Sequence, residues 1–109
     1  MIRITLVCSA GMSTSMLVAN MQKVAKQKGI ETDIEAVAET DLKRRIGITD
    51  VLLLGPQVRF LLKRFEKEYG GKGAAIDIID MADYGRMNGE NVLNKALALY
   101  EKNIGGKDV

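Results

Sequence analysis

The chain has 109 residues, 16 basic and 14 acidic side chains, a formal net charge of +2, no histidine and one cysteine. That length makes one domain around one core. The missing histidines exclude a histidine base and, with a single cysteine, leave a zinc or transition-metal site almost without ligands, so no metal and no cofactor are expected. With no Trp, two Phe and three Tyr, neither a basic footprint nor stacking platforms for nucleic acid stand out.

One cysteine cannot close an internal disulfide, which suits a reducing compartment. The longest apolar runs, such as Val51 to Leu54, are too short to cross a bilayer, and Met1-Ile2-Arg3 leads into a strand without signal-peptide flanks. A cytoplasmic protein with no membrane insertion is expected.

In chain order, Ile2-Arg3-Ile4-Thr5-Leu6-Val7 reads as a strand. Leu17, Val18, Met21, Val24 and Ala25 recur at helical spacing, with Gly29 placed as a C-terminal cap. Met16 and Met21 are assigned to the core. Asp33 to Ala38 alternates loosely as a half-exposed strand, and Thr40 is placed to cap a short helix carrying Leu42 and Ile46 up to Gly47. Asp50 to Leu54 is continuously apolar after its first residue, the pattern of a central parallel strand, and stops at Gly55-Pro56. Val58, Leu61, Leu62, Phe65 and Tyr69 form the next helical stripe, which ends at Gly70-Gly71-Lys72-Gly73. Ala74 to Ile79 is a fourth strand, Asp80 to Asn88 a turn, and Val92, Leu93, Ala96, Leu97 and Tyr100 the inner face of a last helix. Residues 1–104 make the single domain, and 105–109 are expected to fray.

Strands separated by helices call for a parallel sheet with right-handed crossovers. The expected fold is α/β, four strands in the order 2-1-3-4 with helices on both faces. Ligands of such sheets sit beyond the carboxyl ends of the strands where the order reverses, between strands one and three. Cys8 to Ser15, Gly55 to Gln57 and Asp80 to Gly85 converge there.

Cys8 stands where the first strand breaks into Ser9-Ala10-Gly11-Met12-Ser13-Thr14-Ser15 ahead of a helix. Unpaired N–H groups at the positive end of a helix dipole favour a thiolate and would hold a phosphoryl group on its sulfur. A buried structural cysteine is the rival reading. Ser13 or Thr14 is expected to cap the helix, and Gly11 to serve the loop through positive φ or by letting an N–H approach the phosphate. Met12, beside the thiol, suits a transient interface.

The spacing parallels the C-x5-R-[ST] loop of cysteine phosphatases, but Thr14 stands where the arginine belongs. A phosphatase needs that arginine on the equatorial oxygens and an acid and base for the two steps. A carrier needs a phosphocysteine that forms, waits and moves on.

Pro56-Gln57 reads as a helix start, with Gln57 near the thiol as the alternative. Asp80, Tyr84 and Gly85 read as a cap and turn, with a supporting place in the site as the alternative. Gly70 to Gly73 lacks the Walker pattern and reads as a surface turn. Lys43-Arg44-Arg45 reads as a solvated helix face, with docking to an acidic partner as the alternative.

The segments I-x-L-V-C-S-A-G-M-S-T-S at Ile4 to Ser15, L-L-G-P-Q-V at Leu53 to Val58 and D-x-x-x-Y-G at Asp80 to Gly85 resemble the enzyme IIB components of the lactose/cellobiose/chitobiose type in the sugar phosphotransferase system. The resemblance covers essentially the whole chain. It implies a cytoplasmic carrier whose Cys8 takes a phosphoryl group from phosphohistidine on enzyme IIA. It then gives that group to a sugar, a β-linked disaccharide such as cellobiose, chitobiose or lactose, delivered by the membrane permease enzyme IIC. Members are similar in loop architecture to low-molecular-weight tyrosine phosphatases, in keeping with the near-match at Thr14. The competing functions are a small cysteine phosphatase and a redox or binding module using Cys8, the latter without a resolving cysteine.

Overall fold

The computed structural model describes residues 1–8, 11–70 and 73–107, with the backbone alone for 11–13 and 104–107. Strand β1 (Ile2–Val7) leads to helix α1 (Gly11–Gln27), β2 (Thr32–Val37), a 3-10 turn (Glu39–Asp41) and α2 (Leu42–Ile46). Next come β3 (Val51–Leu54), a 3-10 segment (Pro56–Leu61), α3 (Leu62–Tyr69), β4 (Ala75–Ile78), α4 (Met81–Gly85) and α5 (Gly89–Lys107). The four strands form one parallel sheet in the order β2-β1-β3-β4, as expected.

Period-two alternation divides the core between the two faces of the sheet. Ile4 and Leu6 of β1 with Val51 and Leu53 of β3 join Leu17, Met21 and Ala25 of α1 and Val92, Leu93 and Ala96 of α5. On the opposite face, Val7, Leu52 and Leu54 pack with Leu42, Ile46, Leu61, Phe65 and Tyr69. Covered on both sides, β3 is buried at every residue, which is why its sequence is continuously apolar.

Gly29 caps α1 as expected. Its φ is +69°, its N–H donates to Lys26 O at 3.1 Å, and the N–H of Ile30 donates to Ala25 O at 2.9 Å, which together make a Schellman motif. At the other end of the same packing face, Gly89 lets α5 touch α1: a Cβ built there would lie 2.5 Å from the backbone carbon of Asn20.

Several expectations are corrected. Met16 is 60 % exposed rather than in the core, because it lies off the α1 stripe of Leu17, Met21 and Ala25. Thr40 caps nothing; it lies inside the 3-10 turn, whose N-cap is Ala38. Arg45 leaves the solvated run beside it: it shares the buried face of α2 with Leu42 and Ile46 and is 4 % exposed. The segment from Asp80 to Asn88 contains the helix α4. The backbone of α5 is described to Lys107, and residues 108–109 of the tail lie outside the described residues. Gly71 and Lys72 of the expected surface turn also lie outside them.

Candidate functional site around Cys8

Pairing of Val7 with Leu54 ends β1 and β3 at the same level, so the chain leaves both strands side by side at the point where strand order reverses. Cys8 follows directly from β1 and is 8 % exposed. Gly55 follows β3; its N–H donates to Val7 O at 2.9 Å. The 3-10 segment after it starts with Gly55 as N-cap and Pro56 at the first helical position, the helix start expected for Pro56-Gln57.

Two hydroxyls from distant elements complete the wall. Thr14 of α1 and Tyr84 of α4, 1 % and 8 % exposed, share a hydrogen bond of 3.1 Å between Oγ1 and the phenolic OH. Both side chains also hydrogen-bond the Cys8 thiol, as does backbone at Gly55. Burial nevertheless dominates and pushes the thiol above its ordinary value of 9.0, while those three hydrogen bonds pull it down without cancelling the rise. Burial thus favours the neutral thiol where the sequence pattern favours a thiolate, while the hydrogen bonds from Thr14, Tyr84 and Gly55 favour the charged form.

Tyr84 is delivered by a short, firmly started helix. Asp80 is the N-cap of α4, its Oδ1 accepting from the N–H groups of Ala82 at 2.9 Å and Asp83 at 3.2 Å. Tyr84 N–H donates to Asp80 O at 2.9 Å. The cap reading of Asp80 therefore holds. Beside the sulfur, Pro56, Gln57, Met81, Tyr84 and Gly85 line a depression of about 430 Å³.

The structure thus brings Cys8, Thr14, Gln57 and Tyr84 together, while Asp80 is exposed at the N-cap of α4. Ser9 and Ala10 lie outside the described residues, as do the side chains of Gly11, Met12 and Ser13, whose backbone forms the first turn of α1. Because α1 starts at Gly11, Ser13 and Thr14 are its third and fourth residues. The Thr14 hydroxyl meets Tyr84 and the thiol, while the side chain of Ser13, the other capping candidate, lies outside the described residues. Ser15 is exposed one position further along the helix. Gly55 lies in the segment expected at the switch point, but its place against the sulfur is not legible in the sequence, since nothing local distinguishes a glycine that seats a thiol from one that precedes a turn.

A parallel four-stranded sheet with its lone thiol at the switch point, walled by hydroxyls, defines a small doubly wound α/β protein. The family model described as PTS system, Lactose/Cellobiose specific IIB subunit matches residues 3–95. The chain belongs to this family and is a IIB component of a lactose/cellobiose-type sugar phosphotransferase system.

Similar proteins include the galactose-specific EIIB component of Lactococcus lactis subsp. cremoris, 44 % identical over 85 % of this chain and 91 % of that protein. The oligo-beta-mannoside-specific EIIB component of Bacillus subtilis is 38 % identical over 89 % of this chain and 94 % of its own. Among solved structures, the cellobiose-specific phosphotransferase IIB component of Borrelia burgdorferi is 50 % identical, with a TM-score of 0.78 and 94 % of each chain covered. The lactose-specific IIB component domain of Streptococcus pneumoniae shares the fold, with a TM-score of 0.81 at 17 % identity over 91 % of this chain and 97 % of that one.

Proposed function

We propose that Cys8 is the phosphoryl acceptor and donor of this IIB component. The observation that carries the reading is the convergence of Thr14, Tyr84 and Gly55 on the only thiol of the chain at the switch point of the sheet. The phosphoryl group comes from a phosphohistidine of enzyme IIA and leaves to a sugar held by the permease enzyme IIC, with the protein working in the cytoplasm and meeting the membrane only through that permease. The sugar class is a β-linked disaccharide; the curated relatives carry galactose, cellobiose and oligo-beta-mannoside in their names.

The raised thiol suits this chemistry. When the sulfur attacks phosphohistidine, the P–N bond breaks, the P–S bond forms, and the thiol proton passes to the departing imidazole, which needs one to leave as a neutral base. In the second step the P–S bond breaks, a P–O bond forms with the sugar hydroxyl, and that hydroxyl's proton returns to the basic sulfur. The phosphoryl oxygens would be held between the two steps by backbone N–H groups of the sequence segment Ser9 to Ser15, whose residues from Gly11 on open α1.

Hydrolysis has weaker support. Thr14 stands in place of the arginine clamp and is held by Tyr84, there is no histidine base, and Asp80 is committed to capping α4. Incubation with phosphoenolpyruvate and the general phosphocarrier cascade, followed by intact mass, tests the reading. One phosphoryl adduct, mapped to Cys8 and discharged by sugar in the presence of enzyme IIC, is expected. An adduct elsewhere, none at all, or steady phosphate release without one would overturn it.

A further inference from the structure

One wall of the thiol site is backbone with no side chain. A methyl group built on Gly55 would stand 2.8 Å from Cys8 Sγ, 3.5 Å from Cys8 Cβ and 3.0 Å from Gln57 Oε1. The backbone itself does not require glycine, for Gly55 has φ −61° and ψ 152°, a conformation open to any residue. Nor can that backbone retreat easily, because its N–H donates to Val7 O at 2.9 Å and its carbonyl accepts from Val58 N–H at 3.0 Å. What glycine supplies here is room for the sulfur.

We propose that Gly55 is a positioning residue for phosphotransfer: the empty side-chain position at the end of β3 seats Cys8 Sγ against the Thr14 and Tyr84 hydroxyls, and any Cβ at 55 displaces the sulfur from them. The proposal rests on the reading of Cys8 as the phosphoryl acceptor, but the displacement itself can be measured without any phosphoryl donor. A contact of 2.8 Å between Cβ and sulfur is not sustainable, so one of the two must move. The tethered backbone leaves the thiol to do so, while the Gln57 amide swings clear as the end of a flexible side chain. A displaced sulfur is both better hydrated and worse aligned with its donors.

Gly55→Ala therefore produces opposite effects on two reactions of one atom. Alkylation by iodoacetamide at pH 8 should accelerate several-fold as the thiol leaves its buried seat. Phosphoryl acceptance from the phosphorylated cascade should fall on the order of 100-fold, the scale of a misplacement of about 1 Å at a reacting centre. A double-mutant comparison keeps the test sound if the variant is poorly folded. In the parent background the Ala should lower the melting temperature by roughly 5 °C or more, the scale for about 1 kcal/mol in a domain of this size. In a Cys8→Ala background, with no sulfur to displace, the loss should shrink to less than half, the signature of coupled neighbours.

Equal loss in both backgrounds, or unchanged alkylation and phosphotransfer in a folded Gly55→Ala, would overturn the proposal. If the parent protein itself accepts no phosphoryl group, the function assigned to Cys8 fails, while alkylation and melting still decide whether Gly55 seats the sulfur.

Discussion

On the α2 face of β1, Thr5 meets Arg45 and Thr49; just past the end of the same strand, on the α1 face, Cys8 meets Thr14 and Tyr84. Both clusters are buried and polar, and both tie β1 to residues far away in sequence. The first is saturated. Arg45 Nε donates to Thr5 Oγ1 at 2.7 Å, its Nη2 to Ile4 O at 3.2 Å and Asp33 O at 3.0 Å, and its Nη1 to the Asp33 carboxylate at 3.2 Å. Thr49 Oγ1 closes the ring onto Arg45 O at 2.8 Å and shares a 2.8 Å hydrogen bond with Thr5. A buried cation is stable only when its donors are matched in this way, and a matched network has nothing left to exchange. The thiol cluster uses an uncharged atom and two hydroxyls, beside a depression open to a partner. Among the described residues, those that hydrogen-bond the thiol carry no formal charge, as the proposed gain and loss of a phosphoryl group there requires.

Cys8→Ser breaks the contrast completely on the functional side. The serine hydroxyl keeps the site's shape and hydrogen-bonding capacity but lacks a comparable nucleophile and has no base beside it. Phosphoryl acceptance should drop below detection while the melting temperature stays within a few degrees of the parent, as intact mass and calorimetry would show. Labelling near the parent rate would remove Cys8 from the mechanism.

Arg45→Ala breaks the other cluster. It removes the donors to Thr5, Ile4 O and Asp33 O and leaves a cavity on the α2 face. The cost should be about 2–4 kcal/mol in urea unfolding, a little under the full value for a buried pair because Asp33 is partly exposed. Any folded fraction should accept phosphate at close to the parent rate, since nothing in this cluster touches Cys8. A loss under about 1 kcal/mol would mean that water replaces the guanidinium.

Tyr84→Phe sharpens the comparison, since it deletes one oxygen and keeps the packing. Thr14 and the thiol each lose a hydrogen bond, and because that bond lowers the thiol's proton affinity, its loss should raise it further. The pH midpoint of Cys8 alkylation should move up and phosphoryl acceptance should slow about fivefold, the factor that a hydrogen bond worth about 1 kcal/mol supplies. A downward shift would show that the phenol accepts from the thiol rather than donating to it.

The same contrast explains what could be read in the sequence. Strand order and the place of Cys8 follow from alternation of strand and helix signals and from the switch-point rule, both of which need only local patterns. The cap at Gly29 was equally legible. Arg45 is hidden in the sequence because three consecutive basic residues look solvated, although helical spacing from Leu42 puts the third on the buried face. The link from Thr14 to Tyr84 is not legible locally, because the partner lies 70 positions away. Gly55 and Gly89 were illegible for a related reason: each is defined by an atom of another element that fills the space a side chain would need.

The smallest expected effect tests the thiol cluster through stability. Burial raises Cys8 above its ordinary value in the folded protein, so the folded state holds this proton more tightly than the unfolded chain does. Below about pH 9 both states are protonated and the contribution is fully present. As pH climbs past the unfolded value, the unfolded chain releases its proton first, and stability declines until the folded thiol also ionises. One proton limits the slope to about 1.4 kcal/mol per pH unit. Lysines and tyrosines titrate in the same range, so the measurement is a difference: urea midpoints of the parent and of Cys8→Ala from pH 7 to pH 10.5. The parent should lose ground to the variant above pH 9 and run parallel to it below. A parent that gains on Cys8→Ala at alkaline pH would mean that the folded site favours the thiolate, and that the hydroxyls and helix N-terminus outweigh burial.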